Sequence, residues 1–72
     1  MKIGTVKWFD PVRGIGWIKP REIRVPDIFV HINQVKDSGL DTLMSGQAVD
    51  YEEETNRFQN RMKLHAINIR LR

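Results

Sequence analysis

The apolar residues of this chain fall in five short runs, and each run is rich in β-branched and aromatic side chains. Turn-forming residues separate the runs, beginning with Asp10-Pro11-Val12-Arg13-Gly14 after the first run. This pattern predicts strands, because branched and aromatic side chains pack well on a pleated sheet while Gly, Pro and Asp favour turns. The predicted strands span residues 3–9, 15–19, 28–32, 47–52 and 64–71.

The segments between the predicted strands carry weak structural signals. Residues 41–44 could form one helical turn at most, and residues 55–61 are polar except for Phe58, which predicts a long hairpin loop. In the last predicted strand, simple alternation places Ala66 and Asn68 on the face opposite Ile67 and Ile69. No segment therefore predicts a long amphipathic helix.

Five short strands without such a helix predict an all-β domain. The 72 residues leave room for one domain, which spans residues 1–72. A closed five-stranded Greek-key barrel is the expected architecture, because it hides strand edges that a small open sheet would leave unpaired. The sequence has no cysteine, which excludes disulfides and thiolate metal sites.

Charge is segregated along the chain. Lys and Arg exceed Asp and Glu by 12 to 9, a net charge of +3 that permits a polyanionic partner. Most acids lie within residues 37–54, whereas cations dominate residues 1–24 and recur from residue 57 onward. No apolar run approaches the roughly 20 residues of a membrane span, and no apolar run follows the N-terminal charge as in a signal peptide. We therefore expect a soluble cytoplasmic protein.

Strand alternation predicts an aromatic outer surface. In the third run Ile28 and Val30 suit the core together with Ile32, so Phe29 and His31 face outward. In the second run Ile18 suits the core, so Ile15 and Trp17 point to solvent. In the first run Val6 suits the core, so Lys7 faces outward, and either Trp8 or Phe9 joins the outer surface. The predicted surface carries Trp8, Trp17, Phe29 and His31, fringed by Lys7, Arg13 and Lys19.

Aromatic rings interleaved with cations suit single-stranded nucleic acid. Each unpaired base can stack on a ring, with a contribution of about 1–3 kcal/mol per base, and the cations neutralise phosphates. In a duplex the bases already stack on each other, so such a surface favours melted strands.

Six blocks of the sequence, in order and close to the spacing of the family, resemble the bacterial cold-shock proteins. The blocks are Gly4-Thr5-Val6-Lys7-Trp8-Phe9, Arg13-Gly14-Ile15-Gly16-Trp17-Ile18, Asp27-Ile28-Phe29-Val30-His31-Ile32, Ser38-Gly39-Leu40 with Thr42-Leu43, Gly46-Gln47-Ala48-Val49 and Ala66-Ile67-Asn68-Ile69. The second and third blocks resemble the two ribonucleoprotein motifs of that family.

The resemblance implies a five-stranded barrel of the oligonucleotide-binding (OB) type that binds single-stranded RNA and DNA, often with a preference for pyrimidines. Members can act as RNA chaperones or antiterminators, so a role in transcription regulation is expected. The expected partner is single-stranded RNA or DNA, and the expected state is a monomer without a metal or cofactor. The resemblance implies nucleic-acid contacts at Lys7, Trp8, Arg13, Ile15, Trp17, Phe29, His31, Ile32, Leu40 and Arg61.

Several positions depart from the family pattern. Ile15, Ile32 and Leu40 stand where aromatic residues are usual, which removes three stacking rings, and Asp10 replaces a typical Asn. The Gly-Pro that usually precedes the last strand is absent. We hypothesise that the larger ring of Trp17 compensates in part, together with Phe58, Arg24, Arg57 and Arg61.

The sequence also bears on functions other than nucleic-acid binding. The aliphatic replacements leave open a protein-interaction or dimerisation barrel with weakened affinity for nucleic acid. An enzyme is not expected, because the sequence offers no paired acid and base, no nucleophile with a partner and no metal cluster. Gly14 and Gly16 lack the third glycine and the helix of a phosphate loop, so we expect them to serve turns and close packing. Residues 52–54, three consecutive glutamates, are expected to form a solvated strand edge.

Overall fold

The computed structural model of the chain describes residues 1–55 and 64–72. These residues form five strands and one short helix. The elements are β1 (Lys2–Asp10), β2 (Ile15–Pro20), β3 (Ile28–His31), α1 (Ile32–Asp37), β4 (Ala48–Thr55) and β5 (Leu64–Leu71).

The five strands close into a barrel in the order β1-β2-β3-β5-β4. Neighbouring strands are antiparallel except β3 and β5, which pair in parallel at Phe29 and His65. Closure gives each strand a neighbour on both sides, so within residues 1–55 and 64–72 no strand is left unpaired along a whole edge. The predicted all-β barrel is confirmed.

The third strand ends one residue earlier than predicted, and a helix begins there. His31 has an extended backbone and its Nδ1 accepts a hydrogen bond from the Asn33 amide, so it caps α1 at its amino-terminal end. Ile32 is therefore the first helical residue and does not end β3. Residues 41–44, for which the sequence allowed one helical turn at most, form no helix, and Leu43 inserts into the core.

The barrel interior is filled mainly by aliphatic side chains from all five strands. Val6, Ile18, Ile28 and Val30 are buried, which confirms the inward positions predicted for these four residues. A fully buried residue of this kind gains roughly 1.5–3 kcal/mol relative to an exposed position. The rest of the buried core in the described residues consists of Val35, Leu43, Val49, Tyr51, Ala66 and Ile69.

The alternation predicted for β5 is wrong. Ala66 and Ile69 both face the interior, although they are three residues apart. Between them Asn68 adopts a positive φ of 50°, and the pairing with β4 slips there, because Asp50 faces Arg70 while Glu52 faces Ile67. The extra residue is a β-bulge, which shifts the inward positions by one and lets Ile69 reach the core.

The solvated edge expected at the three glutamates of β4 is confirmed for two of them. Pairing with β1 covers residues 48–51, whereas residues 52–54 pair only with β5 among the described residues. Glu52 and Glu54 are exposed, but Glu53 turns inward two residues after Tyr51, and its side chain is 13% exposed. Lys2 Nζ lies 3.2 Å from Glu53 Oε2 and neutralises it in part.

Burial of Tyr51 makes the stability of the barrel sensitive to alkaline pH. Burial first, and then the nearby charges of Glu53 and Glu22, raise the pKa of the Tyr51 phenol above its ordinary value. The phenol ionises more easily in the unfolded chain, so its contribution is present below about pH 10 and is lost as the pH rises through the raised value.

We expect Tyr51→Phe to remove this dependence. Urea unfolding at several pH values between 8 and 11 would measure the free energy of unfolding of both proteins. The loss of stability above about pH 10 should be smaller in Tyr51→Phe than in the parent chain. Parallel curves for the two proteins would contradict the assignment of the loss to this phenol.

Across the residues that the structure describes, we find no helix with the length and apolar character needed to span a membrane.

Candidate nucleic-acid interface

Three aromatic side chains lie side by side across β1, β2 and β3. Trp8 is paired with Trp17, and Trp17 is paired with Phe29, so their side chains project from the same outer face of the sheet. We call these three residues the aromatic row. Trp8 is 41% exposed, and Trp17 and Phe29 are half-buried. The rings of Trp17 and Phe29 meet edge to face, with centroids 5.5 Å apart and an interplanar angle of 73°.

A bulge in β1 brings Trp8 to the outer face. The pairing with β2 slips between Val6 and Trp8, and Lys7 is the extra residue. Lys7 and Trp8 are therefore both exposed, whereas Phe9 packs against the core. Sequence alternation alone left Trp8 and Phe9 equivalent, and the bulge decides between them.

Gly16 makes room for Phe9 behind the aromatic row. A Cβ at residue 16 would lie 2.6 Å from Phe9 Cδ2 and 2.6 Å from the Trp8 carbonyl oxygen. Gly14 has a positive φ of 73°, and a Cβ there would meet Ile32 Cγ2 at 2.7 Å. The roles expected for the two glycines, a turn and close packing, are confirmed.

His31 and Ile15 continue the outer face beside the aromatic row. The two residues are cross-strand partners in β3 and β2, and both are half-buried. Because Nδ1 of His31 accepts the hydrogen bond from Asn33, the proton of the neutral ring sits on Nε2. His31 therefore has a ring face for stacking and an N–H that can donate to a base or a phosphate.

Lys7 of β1 and Arg13 of the β1–β2 turn are already paired with carboxylates. Lys7 Nζ lies 2.9 Å from Asp27 Oδ2, and Arg13 Nε lies 3.8 Å from Asp10 Oδ2. Both pairs are exposed and hold their cations weakly, because exposed ion pairs contribute about 0–1 kcal/mol. A phosphate can therefore displace either carboxylate at small cost.

The carboxylate of Asp10 also organises the β1–β2 turn. Its Oδ1 accepts hydrogen bonds from the amides of Val12, at 2.9 Å, and Arg13, at 3.2 Å. These bonds define an Asx turn, which an asparagine oxygen would form equally well. The turn therefore requires the oxygen of residue 10 and not its negative charge.

We expect Asp10→Asn to bind single-stranded nucleic acid about two- to fivefold more tightly, because it keeps the turn and removes a repulsive charge near the phosphates. Fluorescence anisotropy of a labelled oligonucleotide at two salt concentrations would measure this. The gain should shrink as salt increases. A matched control is Asp41→Asn, an exposed acid outside the β1–β2 turn, and an equal gain there would contradict the local explanation.

Two other predicted site residues, Ile32 and Leu40, lie outside strands β1 to β3. Ile32 opens α1 and its amide donates to the Gly14 carbonyl, so it sits next to the β1–β2 turn. Leu40 is half-buried and packs against the core. Arg61, Arg57 and Phe58 lie outside the described residues. Trp8, Trp17, Phe29, Ile15 and His31 are brought together on one face.

Two further residues border this face, and sequence reasoning did not select them. His65 pairs with Phe29 across the parallel strands and extends the aromatic row onto β5. Asp27, with Lys7, Trp8, Trp17 and Pro26, lines a cleft of about 410 Å³ at the other end of the row. The position of His65 depends on pairing between residues 36 positions apart (65 − 29), which no local pattern reveals.

A small closed barrel with an exposed aromatic row and neighbouring cations defines a nucleic-acid-binding β-barrel. The sequence matches the family described as "'Cold-shock' DNA-binding domain" over residues 2–71. The chain therefore belongs to the cold-shock domain family, and the resemblance inferred from the sequence is confirmed.

Several curated relatives carry cold-shock names. "Probable cold shock protein y4cH" of Sinorhizobium fredii is 42% identical over 62 residues, which cover 86% of this chain and 88% of the relative. "Cold shock protein CspA" of Rhizobium meliloti is 42% identical over 52 residues, 72% of this chain and 74% of the relative. "Cold shock protein 2" of Lactiplantibacillus plantarum is 44% identical over 54 residues, 75% and 79% of the two chains.

Proposed function

We propose that this protein binds single-stranded RNA or DNA by stacking bases on the aromatic row while cations contact the phosphates. The observation that carries the proposal is the register of Trp8, Trp17 and Phe29, which aligns three rings on one outer face. Aromatic side chains of this size rarely stay exposed together unless a partner covers them. Unpaired bases provide flat apolar partners of the right shape.

The spacing of the rings supports binding of an extended strand. Adjacent strands of a sheet lie about 4.8 Å apart, and the Trp17 and Phe29 ring centroids are 5.5 Å apart. A single-stranded backbone can be stretched to place successive bases on successive rings, whereas a duplex holds its bases stacked on each other. The barrel therefore favours strands that are already melted.

The proposed contact set combines stacking, apolar and cationic residues. Ile15 lies next to His31 and offers an apolar surface instead of a ring, which lowers the stacking contribution at this end of the face. We propose a preference for pyrimidines. The full set is Lys7, Trp8, Arg13, Ile15, Trp17, Phe29, His31, Ile32, Leu40 and Arg61.

In the cell we propose that the protein works in the cytoplasm as a monomeric single-domain RNA chaperone or antiterminator-like regulator, without enzymatic activity. Binding that requires unpaired bases opposes the formation of RNA hairpins, because each trapped base is withdrawn from pairing. Weak contacts distributed over several bases suit this role, since the strand can be released without an energy source.

A titration with short homopolymers tests the binding proposal. Oligo-dT, oligo-U and oligo-A are added at two salt concentrations while tryptophan fluorescence is recorded. We expect quenching with all three strands, tightest for the pyrimidines, and weaker binding at the higher salt concentration. An RNA hairpin carrying a fluorophore and a quencher should open as protein is added.

The alternative function, a protein-interaction barrel, gives a different result in the same samples. It would show no quenching at low salt and a concentration-dependent dimer in sedimentation experiments. That combination would overturn the binding proposal. Binding without opening of the hairpin would restrict the proposal to a nucleic-acid-binding module without chaperone activity.

A further inference from the structure

A second cavity lies at the amino-terminal end of β1, away from Trp8. Its volume is about 370 Å³, which is within the usual range for small-molecule sites. Apolar and charged side chains contribute to its wall in similar numbers. The lining residues are Met1, Ile3, Pro20 and Val25, together with Lys2, Arg21, Glu22, Tyr51 and Glu53.

Two buried oxygen atoms belong to side chains that line this cavity. Tyr51 is fully buried, and its hydroxyl has no hydrogen-bond partner among the described residues. Glu53 Oε1 is also buried and unpartnered there, while Oε2 of the same carboxylate faces Lys2 Nζ at 3.2 Å. The two residues are two positions apart in β4 and both turn inward. A buried polar atom without a partner costs roughly 1–3 kcal/mol, so both oxygens favour a ligand that supplies their hydrogen bonds.

The chemistry of these groups defines the complementary ligand. The carboxylates of Glu53 and Glu22 only accept hydrogen bonds, whereas the Tyr51 hydroxyl can donate one. Burial and the neighbouring carboxylates raise the pKa of Tyr51, so the phenol keeps its proton at neutral pH. An amino group with two hydrogens, adjacent to a ring nitrogen that accepts, complements two carboxylates and one hydroxyl. Adenine and cytosine carry this edge.

We propose that this cavity binds the amino-bearing edge of adenine or cytosine. The amino group donates to Glu53 and Glu22, and the hydroxyl of Tyr51 donates to the ring nitrogen. Ile3, Val25 and Pro20 provide apolar contacts for the faces of the base. The exposed cations Lys2 and Arg21 border the same cavity and suit the phosphate of a nucleotide. This site is separate from the aromatic row and does not depend on stacking there.

The direct test is an NMR titration with mononucleotides. Adenosine and cytidine 5′-monophosphate should shift the backbone amides of Lys2, Tyr51 and Glu53, and uridine 5′-monophosphate should bind at least about threefold more weakly, since it has no amino group. A short oligo-dT strand ending in dC is compared with one ending in dT. Larger shifts with the dC end would show that the terminal base of a strand also enters the cavity.

Tyr51→Phe distinguishes a cavity that binds a nucleobase from a cavity that holds only water. The substitution preserves the shape of the ring, and removing an unpartnered hydroxyl should not weaken the fold. We expect three- to tenfold weaker binding of cytidine 5′-monophosphate, the effect of one lost hydrogen bond. Glu52→Gln, an exposed residue on the same strand, is the matched control and should leave this affinity unchanged.

Three results would overturn the proposal. They are the absence of shifts at these amides, equal affinity for the uridine and cytidine nucleotides, and unchanged affinity in Tyr51→Phe. Trp17→Ala tests whether the cavity binds nucleotides independently of the aromatic row. This variant should bind oligo-dT more weakly and should still show the chemical shift changes caused by mononucleotides. Loss of both activities in Trp17→Ala would place the two ligands on one surface and contradict a separate site.

Discussion

Trp17→Ala should weaken the binding of oligo-dT about 5- to 150-fold, which corresponds to the roughly 1–3 kcal/mol of one base–aromatic stack. Trp17 is the middle member of the aromatic row, with Trp8 on one side and Phe29 on the other. Its removal also takes away the edge-to-face contact that orients Phe29. Phe29→Ala should cause a loss of similar size. Anisotropy of a labelled oligonucleotide measures both, because it does not depend on the tryptophan that is removed.

Two variants serve as controls for this prediction. Trp17→Phe keeps a ring for stacking and should retain most of the affinity. Leu71→Ala removes an exposed apolar side chain at the end of β5, far along the strand from His65, and should have no effect on binding. Urea unfolding of Trp17→Ala would show whether the fold is preserved. A folded Trp17→Ala protein with the parent affinity would contradict the role of the row.

Gly16→Ala should destabilise the barrel by about 1–3 kcal/mol or more, the cost of overpacking a well-filled site. The added Cβ would lie 2.6 Å from Phe9 Cδ2 and from the backbone oxygen of Trp8. A backbone atom cannot swing away as a side chain can, so β1 itself would have to move. Since Trp8 belongs to the moving segment, we expect nucleic-acid binding to weaken as well.

Gly39→Ala separates crowding from backbone strain. A Cβ at residue 39 would have nothing within 4 Å, although the positive φ of 82° is unfavourable for alanine. Urea unfolding should therefore show a smaller loss for Gly39→Ala, about 1 kcal/mol, and oligonucleotide binding should be unchanged. A Gly16→Ala protein as stable as Gly39→Ala would show that β1 and β2 are not packed as described.

The parts of the fold that the sequence predicted are those encoded by strand alternation. Val6, Ile18, Ile28 and Val30 alternate with polar or aromatic neighbours and lie in the core as expected. The outer positions of Trp17 and Phe29 follow directly from the same period of two. The closed barrel also followed, because five short strands have few other ways to protect their edges.

The features that the sequence did not predict are irregularities of the backbone and pairings between distant residues. Bulges at Lys7 and near Asn68 change which side chains face inward, and neither position carries a Gly or Pro that would mark it. His31 caps α1 and so ends β3 one residue early. The sequence did not predict this, because histidine is not a typical helix-capping residue. Glu53 turns inward because it pairs with Ala66, whose side chain faces the interior, and this pairing joins two separate strands.

The most direct measurement of the central claim is an NMR map of the surface that contacts a short pyrimidine strand. The chain has two tryptophans, and both indole N–H signals report on the aromatic row. We predict that oligo-dT shifts both indole signals and the amides of Lys7 and Phe29, while Val49 and Ile69 in the interior of β4 and β5 remain unchanged. Shifts confined to β4 and β5, with both indole signals unmoved, would contradict the account.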